Sequence, residues 1–115
     1  MFEIKWLATA SRTIIEIQRK AEKALESRRI RNVRKATRDE GLFKQINKCT
    51  NQLAANPRHP GLHTHEYDAI PNPIDASQKV FEAYVQNNTP AAYRVFWCYG
   101  PNAREITIIA ITPHP

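Results

Sequence analysis

The sequence has little glycine, little cysteine and no long apolar run, and each shortage excludes a class of protein. Three glycines and two cysteines leave no glycine-rich phosphate loop and no disulfide framework. The longest apolar stretch, Ile106–Ile111, is interrupted by Thr107 and is far shorter than the ~20 residues that span a bilayer. No signal peptide is apparent at the N-terminus. We therefore expect a cytoplasmic protein without a membrane partner, with Cys49 and Cys98 as reduced thiols.

Charge of one sign is concentrated at one end of the chain. The 115 residues carry 17 Lys and Arg against 11 Asp and Glu. Residues 1–38 have a net charge of +7, whereas residues 39–115 have a net charge of −1. A basic segment of this kind favours binding to a polyanion, an acidic protein or an anionic surface. With 42% hydrophobic residues, the chain can bury a core, and its length predicts one domain over residues 1–115.

Two amphipathic helices are predicted in the first half. Apolar residues at three- and four-residue steps predict a helix over 9–27, capped by Ser11 or Thr9. A second stripe predicts a helix that Asp39 caps and that ends at Asn56-Pro57. Its apolar residues are Leu42, Ile46, Cys49 and Leu53. Between the helices, the basic residues 28–38 form a connector, which is either a solvated surface segment or a phosphate-binding arm.

The second half reads as a long loop followed by strands. Residues 57–79 have no sustained period and are rich in Pro, His, Asn and Asp, which predicts a loop. Strands are expected over 80–86, 93–99 and 105–112, and a short strand carries Phe2, Ile4 and Trp6. The fold class is therefore α+β: an N-terminal strand, a helical hairpin and a three-strand antiparallel meander. These strands form one sheet that the helices cover on one face.

Alternation along the strands predicts which side chains face away from the helices. Val95 and Trp97 are expected under the helices, so Glu82, Tyr84 and Arg94 share the uncovered face. Charged residues inside a central strand are unusual unless they are paired or functional. A Glu82–Arg94 cross-strand ion pair, worth about 0.2–1 kcal/mol, is the structural alternative to a functional site.

The histidines of the long loop suggest a metal site, but the neighbouring prolines and glycine argue against one. His59 and His63 have helical ligand spacing, yet Pro57, Pro60 and Gly61 exclude a helix there. We therefore predict no metal and no cofactor. Arg58 and the imidazoles of this loop are instead candidate hydrogen-bond donors and proton carriers.

Several segments together resemble one known family. They are Asn56-Pro57-Arg58 with Gly61-Leu62, the strand Val80–Val85, the strand Tyr93-Arg94-Val95-Phe96-Trp97, and the run Glu105–Ile111 with a histidine beyond it. In this order the chain resembles the RelE/ParE toxin superfamily of bacterial toxin–antitoxin pairs.

The resemblance implies a small basic toxin that a cognate antitoxin neutralises. Many such toxins cut mRNA on the ribosome without metal, whereas others, similar to ParE, inhibit DNA gyrase. A non-toxic nucleic-acid-binding or regulatory member is a further alternative. By position, Arg94 matches the arginine that contacts the scissile phosphate, and His114 matches the C-terminal catalytic His or Tyr.

Two sets of site residues follow from these arguments. The predicted catalytic residues are Arg94, His114, Glu82, Tyr84 and His65. Arg94 is expected to hold the phosphate bidentately, the histidines and Glu82 to exchange protons, and Tyr84 to stack on a base. The predicted RNA-binding residues are Arg58, His63, Arg28, Arg31, Arg34 and Lys35.

Overall fold

A computed structural model describes residues 1–87 and 89–113 as a five-stranded sheet with two long helices. The strands lie in the order β1-β5-β4-β3-β2. In chain order the elements are β1 (Glu3–Trp6), α1 (Ala8–Ile30), α2 (Arg38–Ala55), a short 3-10 helix (Pro60–Leu62), β2 (His65–Glu66), β3 (Phe81–Tyr84), β4 (Tyr93–Tyr99) and β5 (Glu105–Pro113). The predicted α+β class and the meander are confirmed.

The sheet is mixed because β1 pairs with β5 in parallel, while the other neighbouring strands are antiparallel. Strand β5 therefore lies inside the sheet between β1 and β4, as its apolar sequence predicts. Strand β2 lies within the predicted loop 57–79 and pairs with β3, and its two residues are too few to show a periodic pattern. Gly100, in the turn before β5, has a φ of 103°, a backbone conformation that glycine adopts without strain.

The two helices cover one face of the sheet, and the main core lies between them. Leu53 and Ile46 of α2 pack with Val95 and Trp97 of β4, so the predicted helix stripe and strand alternation are both confirmed. All four of these side chains are buried. Truncating such a side chain to alanine typically costs about 2–5 kcal/mol of stability.

The helix boundaries differ from the predictions at both caps. Helix α1 extends to Ile30, and Leu7 is its N-terminal flanking residue without a side-chain cap, so the predicted cap by Ser11 or Thr9 is wrong. Helix α2 is capped by Thr37 rather than by Asp39. Thr37 Oγ1 accepts from the Glu40 N–H while the Glu40 carboxylate accepts from the Thr37 N–H. This reciprocal capping box satisfies two backbone donors at once.

The helical hairpin projects beyond one end of the sheet. Ile17 and Lys20 of α1 line one surface cavity with Pro113, at the end of β5. Helix α1 continues from there to Ile30, a further rise of about 15 Å. The longest dimension of the described chain is accordingly 52 Å. The tip of the hairpin, residues 31–37, carries the exposed basic side chains of the connector.

The second face of the sheet is not uncovered, contrary to the prediction. Tyr67 and Ile70 of the long loop pack on a second buried cluster that includes Phe96 and Cys98. The Tyr67 and Phe96 rings lie 4.6 Å apart. Asn72 fixes the loop, because its amide donates to the Lys79 carbonyl and its carbonyl oxygen accepts from the backbone. Part of this face is therefore a second core.

Both cysteines are free and buried, as the sequence predicts. Cys49 belongs to the core under the helices, and Cys98 belongs to the cluster on the opposite face. Burial raises the pKa of the Cys49 thiol to about 12 and also raises the pKa of Cys98. Within 1–87 and 89–113, no helix has the length and apolar character needed to cross a membrane.

Candidate active site

Strand register brings four of the predicted catalytic residues together. Tyr84 of β3 pairs with Arg94 of β4, and His65 of β2 pairs with Glu82 of β3. Their side chains converge with that of His63 on the face opposite the helices. We call His63, His65, Glu82, Tyr84 and Arg94 the Tyr84 cluster.

Arg94 is held against Tyr84 by stacking and by backbone carbonyls. Its Cζ lies 3.6 Å from the centroid of the Tyr84 ring. Its Nη1 donates to the carbonyl of Gln86 at 2.6 Å and to that of Tyr93 at 3.2 Å. The residue is only 7% exposed, so its positive charge lies just beneath the surface that the Tyr84 ring forms.

Glu82 contacts His65 more closely than it contacts Arg94. His65 Nε2 lies 2.8 Å from Glu82 Oε1, whereas Arg94 Nε lies 4.0 Å from the same oxygen. The predicted Glu82–Arg94 ion pair is thus a diagonal contact at the limit of ion-pair distance. Glu82 itself is only 1% exposed, so its carboxyl group is shielded from solvent. Its contact with the partly exposed His65 side chain connects it to the surface.

The two nitrogens of His65 have acceptors on both sides. Its Nδ1 lies 2.9 Å from the His63 carbonyl oxygen, which can only accept, so Nδ1 carries a proton. Its Nε2 faces the Glu82 carboxyl group, and this contact is an ion pair when the imidazole is protonated. The imidazole, whose side chain is 48% exposed, is therefore oriented by groups on both sides.

His63 completes the cluster from a left-handed backbone position. With φ at 50°, it follows the short 3-10 helix and turns its ring towards Tyr84. The ring centroids of His63 and Tyr84 are 4.9 Å apart, and the His65 ring meets Tyr84 edge-on at 5.9 Å. Tyr84 thus contacts two exposed imidazoles and a buried guanidinium.

The predicted RNA-binding residues fall into three places. Arg58 is exposed beside His63 and His65, where all three line a cavity. Arg31, Arg34 and Lys35 are exposed at the tip of the hairpin. Arg28 instead points into the hairpin: it forms a 2.7 Å ion pair with Glu40 and donates to the carbonyls of Val33 and Arg34. Its guanidinium thereby holds the connector against the start of α2.

His114 lies outside the described residues, so its predicted catalytic position is not part of this geometry. The neighbouring part of β5 is described, and Thr112 pairs with Arg94. Within 1–87 and 89–113, no three His, Cys, Asp or Glu side chains are grouped as metal ligands.

Gln86 is a site residue that the sequence did not reveal. Its carbonyl accepts from Arg94, and its side-chain oxygen accepts from the Tyr93 N–H. Its side-chain amide donates to Gln45 of α2 at 3.0 Å. Gln86 therefore ties Arg94 to the helical hairpin. No local pattern marks such a residue, because all these partners are distant in sequence or contacted through the backbone.

Comparison with solved structures shows that the fold is that of RelE/ParE-type toxins. A YoeB/ParE toxin from Agrobacterium tumefaciens matches with a TM-score of 0.62 at 10% identity, over 98% of this chain and 99% of that chain. The YoeB dimer from Staphylococcus aureus matches with a TM-score of 0.61 at 11% identity, over 99% of this chain and 98% of that chain. The archaeal RelE, in a RelE–RelB complex from Pyrococcus horikoshii, matches with a TM-score of 0.56 at 9% identity, over 97% of this chain and 93% of that chain.

No protein-family model and no curated protein sequence matches the chain. The structural matches nevertheless confirm the resemblance at the level of the fold. At about one residue in ten identical, they carry the architecture and leave the chemistry to be argued from the side chains.

Proposed function

We propose that this chain is the toxin of a toxin–antitoxin pair and that it cleaves mRNA on the ribosome without metal. The Tyr84 cluster carries the proposal, because it combines a buried cation, an aromatic surface and an exposed imidazole paired with a buried carboxyl group at one place on the sheet. The similarity of the fold to YoeB and RelE toxins supports the same function.

Such cleavage uses the 2′-hydroxyl of the RNA itself. The hydroxyl attacks the adjacent phosphorus, the bond to the 5′-oxygen of the next nucleotide breaks, and a 2′,3′-cyclic phosphate and a 5′-hydroxyl remain. A base must accept the 2′-proton, and an acid must protonate the leaving oxygen. Each well-placed proton carrier contributes typically about 10²–10⁴ in rate.

His65 is the proton carrier of the described residues that best fits this task. Its exposed imidazole is oriented by the His63 carbonyl and contacts the buried Glu82 carboxyl. To exchange a proton with the RNA, His65 must turn one ring nitrogen away from its partner, the His63 carbonyl or the Glu82 carboxyl group. The nearby Glu82 carboxylate then stabilises the imidazolium that forms. His114, known here from its sequence position alone, is the proposed second carrier.

Arg94, whose guanidinium lies beneath the Tyr84 ring, supplies positive charge that attracts the phosphate. Poor solvation strengthens its attraction to an anion at the surface. A direct bidentate grip would require Nη1 to leave the carbonyls of Gln86 and Tyr93. Tyr84 offers its remaining ring surface to a base of the mRNA, as aromatic residues do in single-stranded RNA recognition.

The hairpin tip suits the proposed nucleic-acid partner. The exposed Arg31, Arg34 and Lys35 would bind phosphates of mRNA or ribosomal RNA, each adding about 0.7 to the salt dependence of binding. The second proposed partner is an antitoxin, and the similarity of the fold to the RelE of a RelE–RelB complex supports it.

The experiment that tests this function is induced expression in bacteria, with mRNA 5′ ends and protein synthesis measured together. We expect translation to stop and new codon-phased 5′ ends to appear. Arg94→Ala, His65→Ala and His114→Ala should each abolish the new ends, whereas the exposed Arg12→Ala on α1 should not. Growth arrest with intact mRNA would transfer the proposal to a protein target such as DNA gyrase. A folded Arg94→Ala protein with full activity would refute the assigned site.

A further inference from the structure

A recess lies beside the Tyr84 cluster, and its aromatic side takes no part in the cleavage chemistry above. It is a cavity of about 560 Å³ between residues 57–66 of the long loop and the end of the β3–β4 pair. This volume falls within the range of about 300–1,000 Å³ typical of small-ligand sites. His63 and His65 line it as well, so they form the wall between the cavity and the cluster.

One side of this cavity is aromatic. Phe81, Trp97 and Tyr99 line it together. Phe81 stacks on Trp97 with ring centroids 4.8 Å apart, and Tyr99 meets both rings edge-on at 5.8 and 5.0 Å. Tyr99 is 43% exposed, so its ring offers a face to a ligand. Flat aromatic surfaces of this kind bind the π-faces of nucleobases.

The cavity offers several donors, and the Glu66 carboxylate that lines it is paired with Lys79 at 2.6 Å. Trp97 is 1% exposed, and within the described chain its indole Nε1–H has no acceptor. A buried donor without a partner is costly and favours a ligand that supplies an acceptor. His59 Nδ1 accepts from the Gly61 N–H at 2.9 Å, so the proton of its neutral ring is on Nε2. Arg58 adds an exposed cation at the rim.

We propose that this aromatic cavity is a nucleobase-binding subsite. It deepens the proposed function, since the base would belong to a nucleotide next to the phosphate attacked at the Tyr84 cluster. His63 and His65 line the cavity and also contact Tyr84, with ring centroids 4.9 and 5.9 Å from that of Tyr84, so the cavity adjoins the cluster across these two side chains. The base lies against Tyr99, accepts from the donors of the cavity through its ring nitrogens or carbonyl oxygens, and leaves its phosphate to Arg58.

The test uses the indole N–H of Trp97 as a reporter. The chain has two tryptophans, so a ¹H–¹⁵N spectrum shows two indole signals, and Trp6→Phe assigns them. The full-length protein is titrated with each of the four ribonucleoside 5′-monophosphates and, separately, with ribose 5-phosphate. We expect nucleotides to move the Trp97 signal saturably and downfield, with the Trp6 signal unmoved and ribose 5-phosphate without effect.

Variants define the surface that binds. Tyr99→Ala should weaken nucleotide binding at least about tenfold, within the range that base stacking contributes, and Arg58→Ala should weaken it for all four nucleotides alike. Arg12→Ala is the control and should bind normally. The proposal is overturned if the Trp97 signal stays fixed at millimolar nucleotide, if ribose 5-phosphate moves it equally, or if folded Tyr99→Ala binds as well as the original protein.

This result is separable from the nuclease test. A nucleotide-dependent Trp97 signal in a protein that leaves mRNA intact supports the subsite and refutes the cleavage. If the protein cleaves mRNA in phase with codons but its Trp97 signal does not move with nucleotides, the nuclease function is supported and the subsite proposal is overturned.

Discussion

Replacing Tyr84 with leucine removes the ring that lies 3.6 Å from Arg94 Cζ while keeping an apolar side chain at the position. A guanidinium over an aromatic face contributes about 0.5–1 kcal/mol at exposed sites and about 2 kcal/mol when it is desolvated. Arg94 is 7% exposed. We therefore expect a coupling energy between about 1 and 2 kcal/mol for the pair.

The assay is a double-mutant cycle by urea unfolding, with Tyr84→Leu, Arg94→Met and the double variant. With an m-value of about 1.5 kcal/mol/M, the coupling corresponds to a shift of about 1 M in the unfolding midpoint. Arg94→Met also removes the donor to the Gln86 and Tyr93 carbonyls. That loss occurs in both backgrounds and cancels in the cycle.

Tyr84→Phe is the matched control, because it retains the ring and removes the hydroxyl alone. In a cycle of Tyr84→Phe with Arg94→Met, we therefore expect a coupling energy close to zero, because the ring over Arg94 is still present. A coupling energy below about 0.3 kcal/mol for Tyr84→Leu and Arg94→Met, which is within the additivity of independent sites, would refute the argument that stacking holds Arg94.

Two further predictions concern the hairpin. Thr37→Ala should cost about 1 kcal/mol by loss of the α2 cap, whereas Asp39→Asn should leave thermal unfolding nearly unchanged; the reverse order would contradict the capping box. The Arg28 guanidinium, followed by the Thr37 N–H, lowers the pKa of Glu40 from 4.5 to about 2. The ionised carboxylate therefore stabilises the fold fully above its unfolded pKa and loses that effect as pH falls towards 2. The melting temperature of the original protein should exceed that of Glu40→Gln most at neutral pH, and a gap that is constant down to pH ~2 would contradict this.

The sequence predicted those parts of the fold that depend on local repetition. The stripe of Ile46, Cys49 and Leu53 marks the buried face of α2, because every third or fourth residue returns to the same side of a helix. The alternation of Val95 and Trp97 with Arg94 assigns the two faces of β4 in the same way. These patterns reflect burial directly, so the structure reproduces them.

The candidate site was only partly accessible from the sequence. Placing Glu82, Tyr84 and Arg94 on one face required no more than strand alternation. His65 was named from its chemistry alone, since its strand β2 is two residues long and has no periodic signal. The position of Glu82 opposite His65 and diagonal to Arg94 depends on strand register, which local sequence does not encode. Arg28 and Glu40 are 12 residues apart, so their pairing required the hairpin to close.

What the sequence by itself determined is the α+β architecture, the faces of its helices and strands, and the residue types that gather at the site. What only the tertiary structure decided is what covers those faces. The polar, proline-rich loop packs Tyr67 on Phe96 and buries part of a face that alternation alone leaves open. Periodicity in the sequence indicates that a side chain is buried, but it does not indicate which distant segment covers it. The covering segment here is a loop without a periodic pattern, so its position depends on long-range packing.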